Sequence, residues 1–219
     1  MKIACLHTAQ SNVEVFDNAA RDVGLPAGTL SHRVMPHLLA QAEAAGGMTV
    51  EIEKEAIAAL AELRTDADTV LLTCSTLGTA ANYLAQDPGI VRVDLALARE
   101  AAAVAGGQPI VVLCAALTTL KPTAALFRAV APTAPLAVEF IPGAWDLFRA
   151  GQQEAYFQLI ADYAQQAFAK GAGCVALAQA SMAGACALFA NPKLLASPHI
   201  ALKREWARLQ SIFGPQEMS

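Results

Sequence analysis

Asp68-Thr-Val-Leu-Leu-Thr-Cys-Ser-Thr-Leu-Gly78 and Gly173-Cys-Val-Ala-Leu-Ala-Gln-Ala-Ser-Met-Ala183 follow the same plan when laid side by side. Each opens on a short apolar run that reads as a buried strand, passes a small polar turn and continues into a helix. In this alignment Cys74 stands opposite Gln179, and Thr76 opposite Ser181. Working outward, the opening strands also match. Lys2 to Leu6 leads into Thr8 and Ser11, as Pro109 to Cys114 leads into Thr118 and Thr119. Between the halves, Ala105-Gly-Gly-Gln-Pro109 ends one helix and starts a fresh strand. The simplest account is an internal duplication.

The remaining sequence keeps the same rhythm. Further strands are predicted at Thr29 to Met35, Leu136 to Ile141 and, within the two quoted stretches, at Thr69 to Thr73 and Cys174 to Ala178. Several are continuous apolar runs, typical of parallel strands covered on both faces. Helical patterning falls at Val13 to Val23, His37 to Ala45, Glu51 to Leu63, Thr79 to Ala85, Leu95 to Val104, Pro122 to Val130, Ala144 to Lys170, Met182 to Ala190 and Ala201 to Phe213. The expected fold is α/β: two pseudo-symmetric lobes, each a parallel sheet flanked by helices, with an active site in the cleft between them. Residues 1–97 plus 199–219 are assigned to the N-terminal lobe and 98–198 to the C-terminal lobe.

Composition narrows the function. Of 219 residues, 55% are hydrophobic and 16% charged, which supplies a core and argues against disorder. The net charge of -4 and the lack of a Lys/Arg cluster argue against nucleic acid or an anionic membrane as partner, since both need a basic footprint. A small-molecule partner is expected instead. The opening Met-Lys-Ile-Ala-Cys-Leu-His-Thr lacks the regions of a signal peptide and no long apolar span follows, so a cytoplasmic location is expected.

Cys5, Cys74, Cys114, Cys174 and Cys186 lack CxxC spacing and read as free thiols. Four sit within apolar runs and read as core residues. Cys74 instead ends a strand and begins a turn, where a helix N-terminus favours the thiolate. In a parallel α/β sheet, ligands bind beyond the carboxyl ends of the strands. The expected cleft is therefore lined by His7, Thr8, Cys74, Ser75, Thr76, Thr118, Thr119, Gln179, Ala180 and Ser181. The hydroxyl residues read equally as helix caps or as donors to a substrate carboxylate. His7 is a candidate proton carrier, while His32, His37 and His199 read as surface or loop residues. No metal-ligand spacing, GxGxxG or Walker motif occurs, so no metal or other cofactor is expected.

The sequence resembles the Asp/Glu/hydantoin racemase superfamily over most of its length. The resemblance rests on Val70-Leu-Leu-Thr-Cys-Ser-Thr-Leu-Gly78, Val91-Arg-Val-Asp-Leu-Ala-Leu-Ala-Arg-Glu-Ala101, Leu117-Thr-Thr-Leu-Lys-Pro-Thr123, Val175-Ala-Leu-Ala-Gln-Ala-Ser-Met-Ala183 and Leu195-Ala-Ser-Pro-His199, in that order. It implies cofactor-independent proton transfer at the α-carbon of a small carboxylic or amino acid, with Cys74 as base or nucleophile, and a homodimer. In such racemases a second cysteine returns the proton on the opposite face. Gln179 occupies that position here, and an amide cannot serve as a general base near neutral pH. This departure from the two-cysteine pattern keeps open single-cysteine decarboxylation, cis-trans isomerisation and carboxylate binding without catalysis.

Overall fold

The computed structural model describes residues 1–214. The first half runs β1 (Ile3–His7), α1 (Ser11–Val23), β2 (Leu30–Val34), α2 (Pro36–Ala45), α3 (Val50–Asp66), β3 (Thr69–Leu72), a 3-10 segment (Ser75–Leu84) and β4 (Ile90–Arg92). α4 (Val93–Ala105) leads into the second half: β5 (Ile110–Cys114), α5 (Leu117–Val130), β6 (Leu136–Phe140), α6 (Ala144–Arg149), α7 (Gln153–Ala169) and β7 (Cys174–Leu177). A 3-10 turn (Ala180–Met182), α8 (Ala185–Leu188), β8 (Leu194–Ala196) and α9 (Ser197–Phe213) complete the chain. Residues 215–219, placed by the sequence in the N-terminal lobe, lie outside the described residues.

Two four-stranded sheets result, ordered β2-β1-β3-β4 and β6-β5-β7-β8, and every pairing is parallel. The shared order is the duplication made visible. The central strands are apolar apart from His7 in β1 and Thr69 in β3, because each feeds two cores. In β1, Ala4 and Leu6 face α2 and α3, whereas Ile3 and Cys5 face α1 and α9. In β5, Val111 and Leu113 pack with α7, and Ile110, Val112 and Cys114 with α4 and α5. Burying each such Leu or Ile contributes about 1.5–3 kcal/mol, and β-branched residues suit the pleat. α4 joins the halves: Val93 and Ala96 pack with β1, Leu97, Ala98 and Ala101 with β5. It ends at Gly106, whose φ of 56° gives the left-handed cap that glycine adopts freely.

Three expectations need correction. The single helical stretch Ala144 to Lys170 is two helices, parted at Gly151, where φ is 70°. Thr79 to Ala85 belongs to the longer 3-10 segment beginning at Ser75, and Met182 to Ala190 shortens to a 3-10 turn plus the four-residue α8. β4 and β8 were not anticipated. Each is three residues long, too short to show a period, and each runs directly into the following helix. No helix among the described residues is long and apolar enough to cross a membrane.

Candidate active site

The carboxyl ends of β1, β3, β5 and β7 point their polar turns toward one another, and a narrow cavity opens between the lobes. From the N-terminal half come Thr8, Asn12, Leu39 and the run Thr73 to Thr76, and from the C-terminal half Ala116, Thr119, Trp145, Phe148 and Gln179 to Ser181. Among the described residues, no Lys, Arg, His, Asp or Glu lines it. Of the basic residues close in sequence, Arg33 is engaged by Glu62 at 2.7 Å and Lys121 is exposed. Charge on a ligand must therefore be met by neutral donors, through hydroxyl and backbone N–H groups.

Cys74 is the ionisable group in this lining, with 9% of its surface exposed. Burial pushes its thiol up. Hydrogen bonds from Thr8 and Thr76 and from the backbone at Leu77 and Thr76 pull the other way without overcoming it. The sequence reading that a helix terminus favours the thiolate is thus corrected: the backbone N–H groups at the start of the 3-10 segment do act on the sulfur, but desolvation of the charged form outweighs them. In the free site burial favours the thiol over the thiolate. Burial likewise pushes Cys114 and Cys186 up to about 11 and Cys174 up to about 12, in keeping with packing roles.

Gln179, the counterpart of Cys74 in the second lobe, is fixed at both ends. Its Oε1 accepts from the Ala115 N–H at 2.8 Å and its Nε2 donates to Thr119 Oγ1 at 2.5 Å. Thr119 in turn donates to the Ala116 carbonyl at 2.6 Å. The amide is a brace across β5, α5 and β7. Ser181 Oγ lies 3.0 Å from the hydroxyl of Tyr156, a buried α7 residue that the sequence does not place at the site.

The cavity gathers Thr8, Cys74, Ser75, Thr76, Thr119, Gln179, Ala180 and Ser181 as predicted. It excludes two predicted residues. Thr118 instead reaches across the lobes, its Oγ1 3.4 Å from Thr76 Oγ1. His7 is fully buried against Phe16 and bonds Thr73 Oγ1 at 2.8 Å and His32 Nδ1 at 2.9 Å. His32 is therefore no surface or loop residue: it lies in β2 and connects His7 to Asp17. The capping reading of the hydroxyls also fails, because Gln10, Cys74, Ala116 and Gln179 occupy the N-cap positions after the four strands and none makes a side-chain cap bond.

Asn12 is the lining residue whose importance the sequence hides. It is 7% exposed and its Oδ1 has no hydrogen-bond partner among the described residues. The signal was present in its spacing: it shares the buried stripe of α1 with Phe16, Ala19 and Ala20, where a polar residue is out of place. Trp145 covers the cavity from the other lobe, stacked on Phe148 with ring centroids 4.8 Å apart and donating Nε1–H to Glu43 of α2 at 2.7 Å. Behind Cys74, Arg92 binds Asp94 through two bonds of 3.0 and 2.8 Å and reaches Asn82 at 3.2 Å. A Cβ at Gly78 would stand 2.5 Å from Arg92 Nη2. The segment carrying the thiol is thereby held against the start of α4.

Solved structures of racemases share this fold of two parallel-sheet lobes. Among solved structures, glutamate racemase RacE1 of Bacillus anthracis matches 99% of this chain and 84% of its own with a TM-score of 0.69 at 12% identity. Allantoin racemase of Pseudomonas fluorescens matches 100% and 94%, with a TM-score of 0.67 at 16% identity. An aspartate racemase homologue of Pyrococcus horikoshii matches 96% and 99%, with a TM-score of 0.62 at 16% identity. No protein-family model and no curated protein sequence matches the chain.

Proposed function

We propose that the protein is a cofactor-independent enzyme that moves a proton at the α-carbon of a small carboxylic acid, with Cys74 as the reacting group. The observation that carries this reading is the placement of a single thiol, hydrogen-bonded by Thr8 and Thr76, in a cavity otherwise lined by neutral donors and apolar groups. Thr8, Ser75, Thr76 and Ser181 suit the oxygens of a carboxylate and of the enolate-like anion that forms when the α-carbon is deprotonated or loses carbon dioxide. The structural neighbours are named as racemases of glutamate, an amino acid, and of allantoin, which carries no carboxyl group but has its stereocentre beside a ring carbonyl.

Gln179 supports a one-sided version of this chemistry. Its amide is spent on Ala115 and Thr119, and it cannot return a proton to the second face. A resting thiol opposite such a face is suited to protonating an anion generated by another route, as in decarboxylation, better than to repeated two-base racemisation. Nucleophilic addition to a double bond, as in cis-trans isomerisation, needs the same sulfur as thiolate.

The test is the stereochemical course in deuterated water over aspartate, glutamate, hydantoins and methyl- or aryl-malonates. A product carrying solvent deuterium in predominantly one configuration supports single-thiol delivery. Equal formation of both configurations at matched rates would overturn the one-sided reading while leaving Cys74 as an acid–base group.

A further inference from the structure

Cys5 and His7 of β1 and His32 of β2 form a cluster separate from the cavity lining. Cys5 and His7 are two residues apart and share one face of the strand, and Cys5 is the register partner of His32 on the neighbouring parallel strand. The sulfur and a ring nitrogen from each histidine all lie within 4.8 Å of one another. Cys5 and His7 are fully buried.

Counting donors shows what the cluster lacks. The Thr73 hydroxyl has one hydrogen, which it donates to the Leu6 carbonyl at 2.9 Å. It must therefore accept from His7 Nδ1 at 2.8 Å, so Nδ1 carries the hydrogen. On the far side, the Asp17 carboxylate accepts from His32 Nε2 at 3.1 Å, which places the His32 hydrogen there. In neutral rings both inner nitrogens, His7 Nε2 and His32 Nδ1, are then lone pairs facing each other at 2.9 Å. Two lone pairs at that separation repel unless a cation lies between them.

We propose that Cys5, His7 and His32 bind a divalent d10 ion of the zinc(II) type, with Thr73 and Asp17 fixing the two imidazole tautomers from outside. The sulfur of Cys5, within 4.8 Å of both ring nitrogens, supplies a third and soft ligand that a shared proton does not call for. Thiolate and imidazole together select such ions, and a carboxylate on the distal N–H of a ligating histidine is the usual outer partner. Charges balance: the ion's two positive charges meet the Cys5 thiolate and Asp17. Zinc–nitrogen bonds of about 2.0–2.1 Å at a tetrahedral angle separate two nitrogens by roughly 3.3 Å, so the rings part by a few tenths of an ångström. On binding, the Cys5 S–H bond breaks, a zinc–sulfur bond forms and the proton leaves to solvent. Entry is from the side of Asp17, whose side chain is 44% exposed. The bound ion would pin the strand end that leads to Thr8 and, through the His7–Thr73 bond, the residue before Cys74.

The full chain, stripped with chelator, is titrated with zinc(II) by calorimetry in buffers of different ionisation enthalpy, and with cobalt(II) as a spectroscopic probe. The expected result is one ion and one released proton per chain, with a thiolate-to-cobalt charge-transfer band that survives Cys74→Ser and disappears in Cys5→Ser. Asp17→Asn, a change at a part-exposed side chain, should weaken binding about 10- to 100-fold. Absence of stoichiometric binding, a band lost with Cys74→Ser, or an affinity unchanged by Asp17→Asn overturns the proposal, the last even if Cys5→Ser fails to fold.

Discussion

Replacing Gln179 by Met removes the amide while keeping most of its volume, and it separates the bracing role of this residue from any chemical one. In the wild type the amide satisfies the Ala115 N–H at 2.8 Å and donates to Thr119 Oγ1 at 2.5 Å, both in buried surroundings. Met leaves the Ala115 N–H without an acceptor, which costs about 1–3 kcal/mol. The Thr119 hydroxyl keeps its bond to Ala116 and loses only an incoming donor, so it adds little. For a chain of this size about 1 kcal/mol corresponds to roughly 2–4 °C in Tm, and a fall of about 2–12 °C is predicted by differential scanning calorimetry. Because the amide is no base, turnover on whichever substrate is identified should change by less than about tenfold, or 1.4 kcal/mol in barrier. An unchanged Tm would refute the bracing role, and a loss beyond about a hundredfold at intact stability would place Gln179 in the chemistry.

Other consequences follow from the same reasoning. Asn12→Ala removes an unpartnered buried carbonyl, so Tm should hold or rise while ligand affinity falls about tenfold. A Tm drop of several degrees would show that Asn12 is structural. Asp94→Ala strands the buried Arg92 guanidinium and should cost about 3–5 kcal/mol, read by urea denaturation. A loss below about 1 kcal/mol would contradict the pairing. Burial pushes His7 down to about 3 from its ordinary value near 6.5, and His32 adds to the effect. Between these values the unfolded chain binds a proton that the folded chain refuses. Metal-free protein should therefore lose stability as pH falls from about 6.5 toward 3, by up to ~1.4 kcal/mol per unit. His7→Gln should flatten this slope, and an unaltered slope would assign the acid sensitivity elsewhere.

The central strands could be read from the sequence because they are buried on both faces and announce themselves as unbroken apolar runs. β4 and β8 could not, since three residues carry no period and their pairing is dictated by β3 and β7. The cavity was legible where a residue follows a central strand within two positions, as with Thr8, Cys74 and Gln179. His7 was misplaced because adjacent residues at a strand end point to opposite sides, and the pattern alone does not say which side faces the cleft. Leu39, Trp145 and Phe148 arrive from α2 and α6, brought in by packing between lobes. The state of Cys74 depended on comparing burial with hydrogen bonding, and only coordinates show both.

The most direct test of the account is deuterium incorporation at the α-carbon, or carbon dioxide loss from malonates, followed by NMR for the wild type and Cys74→Ser on the same substrate panel. Reaction by the wild type that disappears in a folded Cys74→Ser protein is the predicted result. Full turnover by Cys74→Ser would contradict it, because no other ionisable side chain among the described residues lines the cavity.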